Sequence, residues 1–206
     1  MLQRRSYELI SLFVGIPIFL ALPVYLIPKL LVGAGGLLYV VVVAVGTKDP
    51  TEKTQLVINW RAFSGILGLR FALLVVVSSA FVYFLYPDLL FKVPTSKPLL
   101  WLGILLVYSI ISVYPQELLY RSFFFKRYRG LFESKNMLIF INAILFSLAH
   151  LFFGNLLVLL LTFIGGLVFA FTYYRTNSML LVSIEHALYG CWLFTIGMGD
   201  MLGFPS

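Results

Sequence analysis

The sequence predicts an all-α protein that crosses the membrane several times, and three properties of the chain lead to this fold class. Hydrophobic residues make up 61% of the 206 residues and charged residues only 11%, against roughly 45–50% and about 25% in soluble domains. Apolar runs of membrane-spanning length follow one another with short polar breaks between them. Lys and Arg are concentrated in alternate breaks. We therefore expect a single integral membrane domain over residues 1–206 with about seven transmembrane helices.

Proline, glycine and capping residues mark several of the expected spans. Pro17 and Pro23 predict kinks in the first span, Ser134 and Asn155 are candidate caps of the fifth and sixth, and the pair Gly165–Gly166 predicts close approach of a neighbouring helix. Asp49-Pro-Thr-Glu52 has the pattern of a helix start and predicts a short interfacial helix before Trp60. The expected spans are residues 7–27, 30–46, 66–86, 99–128, 136–152, 156–174 and 179–198.

The distribution of charge predicts the orientation of the chain. With the N-terminus in the cytoplasm, 12 of the 15 Lys and Arg residues fall on the inner side, and only Lys29, Lys92 and Lys97 fall outside. An odd number of spans then places the C-terminus outside. The basic surplus is thereby explained by topology, and no nucleic-acid partner is expected.

The lone Cys191 excludes an intrachain disulfide and a multi-cysteine metal site.

Glu117 and Arg121 are charged residues inside the fourth expected span. A charge in hydrocarbon costs at least about 2.5–3.5 kcal/mol, so an ionisable residue there marks a candidate functional site. Glu117 lies 13 residues before the turn that begins at Gly130, and His150 lies 15 residues after the same turn ends at Lys135. Antiparallel helices place both side chains about 20 Å from the turn.

His186 is the second of only two histidines in the chain. It lies 8 residues after Ser178, on the next helix that runs in the same direction as the helix of His150, and tilting brings it within reach of Glu117. The sequence thus predicts a site formed by helices 4, 5 and 7, with Glu117, His150 and His186 as its catalytic residues.

Several simpler interpretations stay open. Glu117 and Arg121 are four residues apart and can form a structural ion pair within one helix, and either histidine can be a hydrogen-bonded core residue. Glu185 can be satisfied by a hydrogen bond to another helix. A small transporter with Glu117 as its proton site is a further alternative.

Two hydrolytic mechanisms fit one Glu and two His. In the first, which we favour, Glu117 is the general base for a water held by His150 and His186. In the second, the same three residues bind zinc. The sequence lacks the His-Glu-x-x-His pattern that is usual for zinc on a helix.

Residues 98–200 contain three short motifs in order on helices 4, 5 and 7, namely Gln116 to Arg121, Phe146 to His150 and His186 to Gly190. Their order and spacing resemble those of the CPBP (Abi) intramembrane proteases, which include the type II CAAX prenyl proteases and bacteriocin-processing or self-immunity proteins. The pattern of that family is Glu-Glu-x-x-x-Arg, Phe-x-x-x-His and His-x-x-x-Asn, and residues 1–97 match it only in being hydrophobic. The resemblance implies a bacterial inner-membrane endopeptidase whose substrate is a membrane-embedded or membrane-anchored peptide or protein.

The chain departs from the family at two positions. Gln116 replaces the first Glu, to which the family assigns the activation of water, and Gly190 replaces the last Asn. Either Glu117 has taken over as base with Glu185 assisting, or the chain is a catalytically silent relative that acts in bacteriocin immunity or binds a membrane peptide. The loss of Asn removes a candidate oxyanion donor, and the residues that could replace it are Tyr189, Asn155 and Arg121.

Overall fold

Helices make up most of residues 2–46 and 60–202, the part of the chain that the computed structural model describes, and no strand occurs there. The all-α prediction is confirmed. The helices are α1 (Leu2–Ile10), α2 (Ile16–Ala21), α3 (Leu26–Gly46), α4 (Trp60–Leu85), α5 (Lys92–Ser96), α6 (Pro98–Val107), α7 (Tyr114–Glu117), α8 (Phe124–Tyr128), α9 (Lys135–Leu148), α10 (Leu156–Thr176) and α11 (Met179–Thr195).

The described helices include five that are long and apolar enough to cross a membrane, which makes this a multi-pass membrane protein. They are Leu26–Ala44, Phe63–Leu85, Pro98–Leu131, Lys135–Phe153 and Leu156–Thr176. The seventh expected span corresponds to α11, which is apolar but only 17 residues long. The total of seven spans stays a prediction.

The first expected span has different limits in the structure. Helix α2 ends at Ala21, and Leu22 is extended with ψ 153°, because a residue that precedes proline, here Pro23, is sterically excluded from the α region. A new helix begins at Leu26, so the prediction of one span over residues 7–27 was wrong. Pro17 is accommodated without a break, directly after a π-helical turn at Ser11–Gly15.

Pro98–Leu131 is one continuous helix of 34 residues that contains α6, α7 and α8, and we call it the long helix. At 1.5 Å per residue it is about 50 Å long, which exceeds the hydrocarbon thickness. Two π-helical turns interrupt its regular winding, at Tyr108–Val113 and at Leu118–Phe123. Such wide turns are frequent at functional sites, and here they carry Tyr108 and Arg121.

The expected helix caps are confirmed. Ser134 begins α9 by accepting a hydrogen bond from Met137 N, and Asn155 begins α10 by accepting hydrogen bonds from Leu157 N and Val158 N. Gly154 has φ 62°, a left-handed conformation that glycine adopts without the steric cost of a Cβ. The connection between α9 and α10 is therefore short. The expected interfacial helix after Asp49 lies outside the described residues.

The helices group into two units, and the boundary between them falls in the long helix between Gln116 and Glu117. The first unit, residues 1–54 and 117–179, contains α1 to α3, the second half of the long helix, α9 and α10. Its N-terminal part is built around Phe13, a fully buried ring with edge-to-face contacts to Tyr120, Phe124 and Tyr128.

Helix α1 is also tied to the long helix by charge. Arg127 donates two hydrogen bonds to the Glu8 carboxylate, at 2.9 and 2.8 Å, and the Tyr128 hydroxyl donates a third at 2.9 Å. Such a bidentate pair fixes orientation as well as distance.

The second unit, residues 55–116 and 180–206, contains α4, α5, the first half of the long helix and α11. A cluster of Ile104, Tyr108, Val113 and Phe194 joins the long helix to α11. Polar contacts support the same packing, since Trp101 Nε1 donates to Thr195 Oγ1 at 3.0 Å and Trp192 Nε1 donates to Ser78 Oγ on α4 at 3.0 Å.

Gly166 brings α9 and α10 into close contact and gives the first testable prediction. A Cβ at Gly166 would lie 3.0 Å from Ala143 Cα and 3.2 Å from its carbonyl oxygen, whereas a Cβ at Gly68 meets nothing within 4 Å. Overpacking costs about 1–3 kcal/mol, so Gly166→Ala should lower the free energy of unfolding by that amount in detergent, and Gly68→Ala should not lower it. Equal stability of the two variants would contradict the close approach.

Candidate active site

Glu117 and Arg121 form a buried ion pair in the first unit. Both side chains are fully buried, and Arg121 Nε lies 3.2 Å from Glu117 Oε2. The predicted i, i+4 contact is therefore present. Because Arg121 lies in the π-helical turn that follows Glu117, the helix backbone sets the separation of the two charges.

Asn142, on α9, holds the other side of the Arg121 guanidinium. Arg121 Nη1 donates to Asn142 Oδ1 at 2.5 Å, and Asn142 Nδ2 donates to the Tyr120 carbonyl at 2.7 Å. The π-helical turn leaves this backbone carbonyl available to a side chain from another helix. Asn142 is itself fully buried, and its amide satisfies two groups of the long helix at once.

Phe146 links Arg121 to His150. The Arg121 guanidinium carbon lies 4.7 Å from the centre of the Phe146 ring, which is cation–π distance, and a second ring, that of Phe169, lies at 5.9 Å. The carbonyl oxygen of the same Phe146 is 2.8 Å from His150 Nδ1. One residue thus supports the buried cation with its ring and orients the histidine with its backbone.

The contact to Phe146 also fixes the tautomer of His150. A carbonyl oxygen only accepts hydrogen bonds, so Nδ1 must carry the proton, and in the neutral ring the lone pair is then on Nε2. His150 lies just beyond α9, with φ −97° and ψ 6°, and is half-buried. The structure therefore presents Nε2 as the basic nitrogen of this histidine.

Asn155 has a structural role in the first unit. Its Oδ1 accepts the two backbone hydrogen bonds that begin α10, at 2.9 Å from Leu157 N and 3.3 Å from Val158 N. The capping interpretation accounts for this residue.

The second unit contains His186, which is 6% exposed. Its ring meets the Tyr108 ring edge to face, with centroids 6.0 Å apart. One turn further along α11, at Gly190, a Cβ would overlap the hydroxyl and the ring of the same Tyr108. Tyr108 therefore fills the space beside His186 where the family has an Asn side chain.

Glu185 lies next to His186 in sequence but has its own partners. Its Oε1 accepts hydrogen bonds from Arg70 Nη1 at 3.0 Å and from the Tyr189 hydroxyl at 2.9 Å. The Tyr189 ring stacks on Phe71, with 6.3 Å between centroids. Glu185 thus joins α11 to α4 through Arg70, as the structural interpretation of this residue predicted. Tyr189, the other residue of α11 that was expected to support the site, is hydrogen-bonded to Glu185 as well.

Gln116, at the boundary of the second unit, donates from Nε2 to Ser112 Oγ at 2.8 Å. The side chain is half-buried and neutral. An amide carries no basic lone pair that could take a proton from water, so position 116 supplies no general base in this chain.

The predicted site residues thus form two local groups. Glu117, Arg121, Phe146 and His150 are connected within the first unit, and Glu185, His186, Tyr189 and Gly190 lie on α11 in the second. The convergence of His186 on the other two catalytic candidates stays a prediction.

Sequence reasoning missed Asn142, Phe169, Arg70 and Tyr108. Asn142 had a readable signal, because residues 142, 146 and 150 are spaced by four and share one helix face. Arg70 was also detectable as a charge inside a predicted span. The contact partners of Phe169 and Tyr108 come from helices distant in sequence, and no local pattern predicts them.

The Asn142 contacts predict a large loss of stability when this amide is removed. Asn142→Leu keeps the side-chain size but leaves Arg121 and the Tyr120 carbonyl each without the amide, at about 1–3 kcal/mol per buried group. Thermal unfolding in detergent should show a clear drop, while Asn136→Leu, at an exposed position of the same helix, should unfold like the wild type. An Asn142→Leu protein as stable as the wild type would show that the amide is not needed.

Comparison with known proteins supports the motif analysis. Residues 98–192 match the family model described as Type II CAAX prenyl endopeptidase Rce1-like. No curated protein and no solved structure matches the chain. The matched segment contains the long helix, α9, α10 and most of α11, and with them all three motifs. Residues 98–192, a little under half of the chain, are therefore similar to the Rce1-like family of type II CAAX prenyl endopeptidases, which supports the resemblance that the motifs indicated.

Proposed function

We propose that the protein is an intramembrane endopeptidase that hydrolyses a peptide bond in or beside the membrane, with Glu117, His150 and His186 as its catalytic residues. The observation that supports this most is the connected group in the first unit. Phe146 joins the buried Glu117–Arg121 pair to a histidine whose tautomer is fixed. A purely structural ion pair would not need the oriented histidine.

In the proposed reaction Glu117 is the general base. The carboxylate takes a proton from water while the water oxygen bonds to the carbonyl carbon of the scissile amide. The carbonyl π electrons move onto oxygen and form a tetrahedral oxyanion. When this intermediate collapses, the C–N bond breaks, and the amine leaves with the proton that Glu117 had taken. Atoms and charge balance without a cofactor.

The two histidines have the task of holding the water. His150 Nε2 accepts a hydrogen bond from it, because Nδ1 is committed to the Phe146 carbonyl. His186 completes the binding of the same water from α11. Orientation of this kind converts a collision with water into a positioned attack, which is a large part of the rate that enzymes gain.

Arg121 keeps the base in place and favours the metal-free mechanism. Its guanidinium holds the Glu117 carboxylate at 3.2 Å, and a positive charge at that distance opposes binding of a dication to the same carboxylate. Arg121 itself cannot be deprotonated and is not a second base. Hydrolysis that persists in the presence of a zinc chelator fits the metal-free mechanism. Hydrolysis that needs added zinc favours the alternative, in which Glu117, His150 and His186 bind the metal.

Cleavage of a defined probe tests the proposal. We expect the purified wild type in liposomes to cleave a fluorescence-quenched peptide bearing an S-farnesyl cysteine three residues from its C-terminus, or the same peptide joined to an apolar anchor in place of the prenyl group. Glu117→Gln should lower the rate by about 10²–10⁴-fold, the range for loss of a general base, and His150→Ala and His186→Ala should also lower it strongly.

Glu133→Gln is the matched control, because Glu133 is an exposed carboxylate in the turn before α9. It should cleave at the wild-type rate. Cleavage that persists in purified Glu117→Gln would remove Glu117 from the mechanism.

The second candidate function is a silent relative that binds a membrane peptide without cutting it, as in bacteriocin immunity. The amide at Gln116, held by Ser112 where the family has a carboxylate, favours this candidate. It predicts that the wild type binds either probe without cleaving it, and that binding persists in the double variant His150→Ala/His186→Ala.

Orientation in a bacterial inner membrane is also a proposal, and fusions of a reporter to each end of the full chain can test it. An alkaline phosphatase at the C-terminus should be active, since that end is expected outside, whereas the same enzyme at the N-terminus should be inactive. Activity at neither end would show that both ends are cytoplasmic and that the number of spans is even.

A further inference from the structure

Tyr108 and Gly190 fit together as a pair in the second unit. A Cβ at position 190 would overlap the Tyr108 hydroxyl oxygen and the ring carbons Cζ and Cε1. The end of the Tyr108 side chain therefore occupies the volume in which any side chain at 190 would begin. Gly190 is required here by this ring and not by its backbone conformation, since it lies in the regular part of α11.

Position 190 lies on the helix face that carries His186. Residues four apart on a helix are stacked on one side, so a side chain at 190 would project next to the His186 ring. Tyr108, arriving from the long helix, meets that ring edge to face at 6.0 Å. The hydroxyl that overlaps the Gly190 Cβ position is thus a polar group delivered to the neighbourhood of His186 from another helix.

The Tyr108 ring is firmly held. It packs edge to face on Phe194 with centroids 4.7 Å apart, belongs to the cluster with Ile104 and Val113, and is only 8% exposed. It also begins the π-helical turn Tyr108–Val113, which changes the direction of the side chain relative to a regular helix. A ring held in this way places its hydroxyl without further loss of side-chain entropy, which is what a preorganised donor requires.

From this geometry we infer that the Tyr108 hydroxyl is the hydrogen-bond donor to the oxyanion in this chain, in the place of a side chain at 190. The inference rests on the proposed function. When water adds to the scissile carbonyl, negative charge develops on its oxygen, and Tyr108 O–H donates to that oxygen while keeping its own proton. When the intermediate collapses, the oxygen lone pair re-forms the C=O bond and the C–N bond pair leaves with the amine nitrogen, which takes the proton from Glu117, so the phenol is unchanged at the end of the cycle.

Tyr108→Phe is the first test, because it removes one oxygen atom and keeps the ring that packs on Phe194 and His186. Loss of an oxyanion donor costs about 10²–10³-fold in kcat. We expect this loss with KM little changed, in the peptide assay described above, and thermal unfolding close to that of the wild type. A Tyr108→Phe enzyme with wild-type kcat would overturn the inference, since a ring that only packs needs no hydroxyl.

Exchange of the two side chains is the second test. Gly190→Ala alone should displace Tyr108 and lower kcat, whereas Tyr108→Ala/Gly190→Ala relieves the overlap, loses packing of the ring and should also have low kcat, with thermal unfolding used to confirm that each variant is folded. Tyr108→Ala/Gly190→Asn puts an amide donor into the vacated volume and should recover at least tenfold of the kcat lost in Tyr108→Ala/Gly190→Ala. No recovery, together with wild-type kcat in Tyr108→Phe, would assign the pair to packing alone.

Failure of this inference can be distinguished from failure of the proposed function. If Glu117→Gln is inactive but Tyr108→Phe is fully active, hydrolysis stands and the role of Tyr108 is wrong. If the wild type cleaves neither probe, or Glu117→Gln cleaves normally, the proposed function is wrong and the inference falls with it.

Discussion

The cost of burying Arg121 among apolar helices constrains the rest of the first unit. A buried guanidinium without partners is destabilising by several kcal/mol, and a single carboxylate does not satisfy its five N–H donors. The Glu117 carboxylate, the Asn142 amide and the faces of Phe146 and Phe169 offset part of this cost, while Arg121 Nε and Nη2 are buried without a hydrogen bond. These partners come from the long helix, α9 and α10, so the buried charge fixes how the three helices pack.

The packing around Arg121 also positions the groups that take part in the reaction that we propose. Because Arg121 is held on several sides, Glu117 has a defined position, and because Phe146 serves both Arg121 and His150, the histidine is oriented by the same packing. In the second unit the Tyr108 side chain is positioned by aromatic packing. Phe194 and the Gly190 backbone hold it beside His186. Removing a supporting residue in either unit is therefore expected to act on the catalytic groups indirectly, through their geometry.

The sequence predicted those features that depend on local pattern. Hydrophobicity and length predicted the α-class and seven spans, five of which correspond to membrane-length helices among the described residues, and the cap residues Ser134 and Asn155 were readable from their chemistry. The first span was misplaced because the effect of Pro23 on the preceding residue outweighed a continuous apolar run. The spacing of Asn142 from Phe146 and His150 placed it on their helix face, but its hydrogen-bond partners were not predictable, nor was the role of Tyr108, since the partners of both residues lie more than 20 residues away in sequence. The π-helical turns also leave no recognisable pattern in the residues that form them.

The separation of the Glu117 carboxylate from His150 Nε2 and from the His186 ring tests the central claim most directly. An experimental structure of the wild type in lipid, at a resolution that shows ordered water, would measure it. The proposed function predicts one water within hydrogen-bond distance of all three groups, hence carboxylate-to-nitrogen separations of about 5–6 Å. A Glu117 carboxylate that contacts Arg121 alone, with His186 beyond the reach of a single water, would contradict the proposed hydrolytic site.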